Sequence, residues 1–239
     1  MKKISAVLAL LLALCILAGC GNTTHTTAGT GESTVPAAQQ MEQTENAGTG
    51  TSTAPAPQQT EGAPSENLEE NQTYYADIAI ANYGTITVKL APEAAPITVA
   101  NFVKLAQSGF YDGLTFHRIM AGFMMQGGDP LGNGYGGSDE EIRGEFASNG
   151  WNNPLAHERG VLSMARSNAP DSASSQFFIM HQAAPHLDGS YAAFGRVLTG
   201  MEVVDAICAN TPVTDGNGSV AKANQPIITS IRVIENADK

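Results

Sequence analysis

Residues 116–129 read FHRIMAGFMMQGGD, placing one arginine, Arg118, among two phenylalanines, three methionines and an isoleucine. A guanidinium ion is costly in apolar surroundings unless something there needs it. The stretch divides into two strand-like runs, LTFHRIM and FMMQG. Side chains alternate along a strand, so Phe116, Arg118 and Met120 are expected on one face and His117 and Ile119 on the other. On the second run Met124 and Gln126 share a face. Arg118, Met124 and Gln126 are therefore expected to meet on one surface, with Phe123 at its edge. Ordinary strand packing with a surface arginine fits this stretch equally well, so on its own it leaves both readings open.

The rest of the folded region has the same character. YYADIAIANYG and TITVKL alternate apolar and polar residues, which predicts two strands joined by a tight turn near Asn82 to Gly84. APITVANFVKLAQSG has helical spacing, with Val99, Phe102, Val103, Leu105 and Ala106 as its buried side. Pro96 stands at its start and Gly109 at its end. Further strand-like runs are GVLSMA, SQFFIM and YAAFGRVL; a second short helix is predicted over about Gly200 to Ala209, and PIITSIRVIE closes the chain as a strand. Many short strands and two helices without βαβ alternation predict a mainly β fold, an antiparallel barrel or sandwich.

The N-terminal part is of another kind. Lys2 and Lys3 precede an apolar run from Ile4 to Leu17, which is shorter than the roughly 20 residues a membrane-spanning helix needs. LAGC follows, ending at Cys20. Small residues directly before a cysteine resemble the lipobox of bacterial lipoproteins. That resemblance implies a signal peptide over 1–19, lipidation of Cys20 by acyl chains such as palmitate, and an extracytoplasmic protein anchored to a bacterial membrane without spanning it. Residues 20–72 are rich in Thr, Gly, Ala, Pro, Gln and Glu and lack Lys and Arg, a composition expected to form a disordered acidic stalk. As a flexible coil it would span roughly 40 Å. Residues 73–239 form the expected folded domain.

Several function classes find little support. Lys and Arg number 12 against 23 Asp and Glu, a formal net charge of −11, which argues against a nucleic-acid partner. Of the three cysteines only Cys208 belongs to the folded region, so no disulfide is expected within it. Its helical stretch, MEVVDAICAN, marks it as a packing residue. The five histidines are scattered, and none falls in an H-E-x-x-H motif or beside paired cysteines, so no metal is expected. GNGYGG fits G-x-G-x-x-G, yet the acidic Asp139, Glu140 and Glu141 that follow would repel a phosphate, and the segment reads as a glycine-rich loop. There is no G-x-S-x-G nucleophile elbow.

Taken together, FHRIMAGFMMQGGD, GVLSMAR, SQFFI and LDGSYAAFG resemble the signature of the cyclophilins, peptidyl-prolyl cis–trans isomerases, in both order and spacing. The resemblance covers essentially all of Thr73 to about Ile234. It implies a closed eight-stranded antiparallel β-barrel with a helix over each end. It also implies catalytic roles for Arg118 and Gln126, the latter near the substrate backbone. Phe123, Met124, Phe178 and Leu187 match the pocket for the substrate proline ring, Ala165 and Gln176 match the neighbouring subsite, and His117 follows the pattern. Arg166 replaces an asparagine whose main-chain carbonyl binds substrate in eukaryotic members. His186 stands where many of these have tryptophan, and Tyr191 where they have histidine, which puts cyclosporin sensitivity in doubt.

The resemblance implies no cofactor, proline-containing exported polypeptides as partners, and a monomer by default. A non-catalytic module that binds proline segments on the same fold stays open as an alternative. A pure binder would need only the apolar pocket, so the retention of Arg118 and Gln126 favours the enzyme.

Overall fold

Ala76, Ile78 and Ile80 are buried while Tyr75, Asp77 and Ala79 between them are partly exposed, and this period of two makes β1 (Gln72–Ile80) a strand with one face in the core. In β2 (Gly84–Leu90), Ile86, Val88 and Leu90 repeat the pattern. Asn82 turns the chain between them with φ +66°, a left-handed conformation that asparagine tolerates better than most residues. The computed structural model describes residues 72–237. The expected signal peptide, Cys20 and almost all of the stalk lie outside them.

Helix α1 (Pro96–Gln107) begins with the predicted proline, but Ala95 before it supplies no side-chain cap. The cap comes from Glu145. Its carboxylate accepts the Ile97 N–H at 3.0 Å, the Thr98 N–H at 2.8 Å and the Thr98 hydroxyl at 2.7 Å. Glu145 is fully buried, and burial pushes its carboxyl above the usual range against the opposing pull of these three donors. A distant acid thus satisfies the orphan donors of the first helical turn.

The remaining elements are β3 (Thr115–Met120), β4 (Met124–Asp129), β5 (Val161–Met164), β6 (Phe177–Met180), β7 (Ala193–Thr199), α2 (Met201–Asn210) and β8 (Ile228–Ala237). Single-turn 3-10 helices form at Ala147–Asn149, Pro185–Leu187 and Lys222–Asn224. All strands join one antiparallel sheet in the order β3-β4-β6-β5-β7-β2-β1-β8. Helix α1 packs against β8 and α2 against β2.

A closed barrel is not what these ladders give. The sheet is a curled half-barrel, and among the described residues no ladder joins its edges β3 and β8. They meet at the isolated bridge Thr115↔Ile227, with the Phe116 N–H donating to Pro226 O at 3.0 Å, the Ile228 N–H to Leu114 O at 2.8 Å and the Gly113 N–H to Ile228 O at 2.8 Å. Pro226 has no N–H to give, so a ladder cannot propagate through the approach to β8. Further along β3 a loop takes over. Ile119 donates to Gly218 O at 2.8 Å, and Val220 donates to His117 O at 2.9 Å.

The consecutive apolar residues of FMM and FFIM follow from burial on both faces of the sheet. Met125, Phe177 and Ile179 enter the main core, where Phe177 meets Phe102, Tyr111 and Phe116 edge-on at 5.5, 5.6 and 6.0 Å. Their neighbours Met124, Phe178 and Met180 point the other way, into a second cluster with Val161, Ala184, Leu187 and Ala193.

One expectation for β3 needs correction. Phe116 and Arg118 do not share a face: Phe116 lies in the main core together with Ile119. The register runs Phe116↔Gly127 and then Arg118↔Gln126, so an extra residue, His117, is accommodated between them. Such a bulge resets the alternation. It is this offset that sends Arg118 and Met120 to the side of the second cluster while Phe116 stays in the first.

Candidate active site

The second cluster provides an apolar wall beside β3. Phe123, Met120, Leu155, Ala165 and Tyr191 pack around its buried members Met124, Phe178 and Leu187. Two rings flank it. His186 stacks on Phe123 at 5.7 Å, and Tyr191 meets Phe178 edge-on at 5.8 Å. The expected pocket residues Phe123, Met124, Phe178 and Leu187 are therefore brought together, with His186 and Tyr191 at their margin.

Arg118 stands next to this wall, partly buried. Its Nη1 lies 3.5 Å from Gln126 Oε1, and its Nη2 lies 3.1 Å from Met120 Sδ. Burial lowers its pKa from the ordinary arginine value, with Tyr191 and Asp215 opposing, and a guanidinium remains protonated throughout the range in which proteins work. Gln126 is held in turn: its Nε2 donates to Gln176 Oε1 at 2.9 Å, while Gln176 Nε2 donates to the carbonyls of Gly134 at 3.0 Å and Gly136 at 2.6 Å. These bonds fix which end of each amide faces which neighbour, so Gln126 presents its oxygen towards Arg118. Ala165 joins the same line, its N–H donating to Gln176 O at 2.9 Å.

The loop read as glycine-rich therefore has a purpose at the site. It is pinned from below by Asp129, whose carboxylate accepts the N–H groups of Leu131, Asn133 and Gly134. Burial pushes that carboxyl up, yet the three donors outweigh it and hold Asp129 below the usual carboxylate range.

Arg166 and His117 do not join this network. The Arg166 guanidinium sits between the rings of Phe146 and Tyr191, at 4.9 and 4.7 Å, and donates to Ser190 O and Ser167 O. Its side chain braces Tyr191. His117 is buried, and no hydrogen bond within the described residues reaches its Nδ1. Burial lowers its pKa to about 4 against the pull of Asp129, so it is neutral near pH 7.

Several supporting residues were invisible in the sequence. Asn217 lies 99 positions from Arg118, yet it accepts from Arg118 Nε through its backbone oxygen at 2.9 Å and from Nη2 through Oδ1 at 3.1 Å. The Asn-Gly pair at 217–218 signals a turn, but nothing local names its partner. His157 lies parallel to the Phe178 ring at 6.1 Å and bridges Asp188 (2.8 Å) and Ser163 (2.9 Å), tying the turn that carries Leu187 to β5. His181 accepts the Gly122 N–H at 2.8 Å and faces Asp205 at 3.2 Å, fixing the β3–β4 turn next to Phe123. Among the described residues, no group of three or more His, Cys, Asp or Glu side chains is placed to hold a metal.

An unneutralised guanidinium beside an apolar, aromatic-lined wall can bind a compact apolar ring and direct hydrogen bonds at an atom attached to it. Residues 75–233 match the family model described as cyclophilin type peptidyl-prolyl cis-trans isomerase/CLD. The chain belongs to the cyclophilin family. Among its relatives, peptidyl-prolyl cis-trans isomerase B of Bacillus subtilis is 53% identical over 117 residues, 49% of this chain and 78% of that one. A peptidyl-prolyl cis-trans isomerase of Helicobacter pylori is 45% identical over 138 residues, 57% of this chain and 82% of the relative. The crystal structure of a Cryptosporidium parvum cyclophilin determined in the presence of the dipeptide Ala-Pro superposes with a TM-score of 0.60 at 33% identity, covering 68% of this chain and 99% of that one. This cyclophilin is accordingly an enzyme, a peptidyl-prolyl cis–trans isomerase.

Proposed function

We propose that this cyclophilin catalyses rotation about Xaa-Pro bonds of exported polypeptides, with the proline ring held against Phe123, Met124, Phe178 and Leu187 and with Arg118 as the catalytic donor. The observation that carries this reading is the position of Arg118 at the rim of that wall, facing Gln126. Rotation about the amide meets a barrier of about 18–20 kcal/mol because resonance makes the C–N bond partly double. At the halfway point resonance is lost, the proline nitrogen becomes pyramidal and gains a lone pair. A guanidinium N–H aimed at that lone pair stabilises the twisted state more than the planar one, and only such a difference accelerates the step.

Magnitudes divide the work. One charged hydrogen bond contributes on the order of 1.5–3 kcal/mol, roughly tenfold to a hundredfold in rate. Ordinary enzymatic acceleration begins near 8 kcal/mol, so the greater part falls to the surroundings. The apolar wall clamps the ring, a dry site disfavours the more polar planar amide, and Gln126 holds the carbonyl side. The chemistry calls for no cofactor.

The setting is part of the proposal. The lipobox-like LAGC ending at Cys20 and the acidic, Lys- and Arg-free segment after it support an anchored foldase held away from a membrane on a stalk, acting as a monomer on proline-containing clients. Uncatalysed isomerisation takes tens of seconds or longer, slow enough to limit folding after export. Expression of the full chain with Cys20→Ser tests the anchor. The variant should lose acyl labelling and leave the membrane fraction; a variant that stays membrane-bound contradicts it.

A further inference from the structure

A guanidinium has five N–H donors, and in Arg118 their allocation is uneven. Asn217 takes the side of the fork formed by Nε and Nη2, accepting from Nε with its backbone oxygen at 2.9 Å and from Nη2 with Oδ1 at 3.1 Å. Nη2 also meets Met120 Sδ at 3.1 Å. Nη1 has only Gln126 Oε1, at 3.5 Å. One Nη1 hydrogen is therefore left without a partner among the described residues.

Asn217 is itself firmly seated. Its N–H and that of Ser219 donate to Asp215 Oδ1, each at 3.0 Å. Gly218, with φ +82°, packs so closely on β3 that a Cβ there would lie 2.4 Å from Ile119 O. Its own carbonyl accepts the Ile119 N–H at 2.8 Å, and Val220 donates to His117 O. The loop thus grips β3 on both sides of Arg118.

The chemistry of the clamp is its second feature. Arginines in apolar surroundings ordinarily face a carboxylate, but among the described residues none forms an ion pair with Arg118. Asp215 attracts it electrostatically, yet that carboxylate is occupied by the N–H groups of its own loop. Both oxygens on the fork are neutral.

We infer that Asn217 is a positioning residue for the isomerase reaction: it orients the Arg118 fork so that Nη1 faces the proline pocket, and it does so with neutral oxygens that leave the positive charge uncompensated. The inference rests on the isomerase reading above and adds a requirement that this reading lacks, an amide rather than a carboxylate at position 217.

The full chain, with Asn217→Ala and Asn217→Asp, tests it by peptide exchange and by NMR of 15N-labelled arginine, the Arg118 signals being assigned by their loss in Arg118→Lys. In the wild type, restricted rotation should give separate Nη2 proton signals. Asn217→Ala should merge them and lower kcat roughly fivefold to tenfold with KM changed less than about twofold. Asn217→Asp should keep the signals separate, because an acceptor remains, yet lower kcat at least about tenfold because the new carboxylate neutralises the guanidinium. Wild-type turnover in either variant, a loss confined to KM, or merged signals in the wild type would overturn the inference. If the wild-type chain fails to accelerate exchange, the isomerase reading falls, and with it the catalytic role of Asn217. The Nη2 signals of wild type and Asn217→Ala would then still decide whether the clamp exists.

Discussion

Arg118 and Gln126 face each other across the β3–β4 ladder, with Nη1 3.5 Å from Oε1, and the amide of Gln126 is turned that way by Gln176 behind it. The relay runs on to the carbonyls of Gly134 and Gly136. Neither glutamine lies in the main core, so its loss should register in turnover before stability.

Gln126→Ala is expected to lower kcat/KM by roughly threefold to tenfold, the worth of one hydrogen bond to a charged group or somewhat less. Gln176→Ala acts through Gln126 and should cost less. Because the two share one line of bonds, the double variant should lose less than the sum of the single losses. Exchange rates on an Ala-Pro peptide for the four proteins measure this, and strict additivity would show that the relay does not act as a unit.

His117 sets a pH dependence of stability. Its pKa is about 4 in the folded chain against an ordinary value of 6.5, lowered by burial. Below 6.5 the unfolded chain takes up the proton and the folded chain does not. Stability is therefore fully present above that pH and declines towards pH 4, by up to about 3 kcal/mol from this group. His157, also lowered by burial, adds to the same slope. Denaturant midpoints near pH 7 and about pH 4.5 should differ less in His117→Gln than in the wild type; an unchanged difference would contradict the assignment.

Glu145 replaces the missing cap of α1 from 48 positions away. Glu145→Ala strands three buried donors and should cost about 3 kcal/mol or more. Glu145→Gln keeps one acceptor oxygen and should cost less. Thermal unfolding distinguishes the two, and equal stability of Glu145→Ala and the wild type would contradict the capping role.

Local chemistry in the sequence reaches far into this fold. The turn at Asn82, the start of α1 at Pro96, the strand runs and the second helix were all readable from periodicity and from residues with special backbone habits. Phe123, Met124, Phe178 and Leu187 were singled out by the resemblance to the cyclophilins rather than by periodicity, and they fall in one apolar cluster. What stayed hidden depends on partners distant in the chain. The bulge at His117 is set by how β3 meets β4 and the 217–220 loop, so alternation placed Phe116 on the wrong side. The seam between β3 and β8 is broken by Pro226, which turned an expected closed barrel into a half-barrel. Asn217 and Glu145 act 99 and 48 positions from the groups they hold. Gln176 gives the GNGYGG loop a use that its glycines alone do not disclose.

Everything proposed for the reaction depends on Arg118 acting as the catalytic donor beside an intact proline pocket. The most direct test is exchange NMR on an Ala-Pro peptide with the wild-type chain and Arg118→Ala, alongside thermal unfolding of both. Fast cis–trans exchange is expected for the wild type and a loss of at least about tenfold in kcat/KM for the variant, with its fold intact. Near-normal turnover by a folded Arg118→Ala would contradict it.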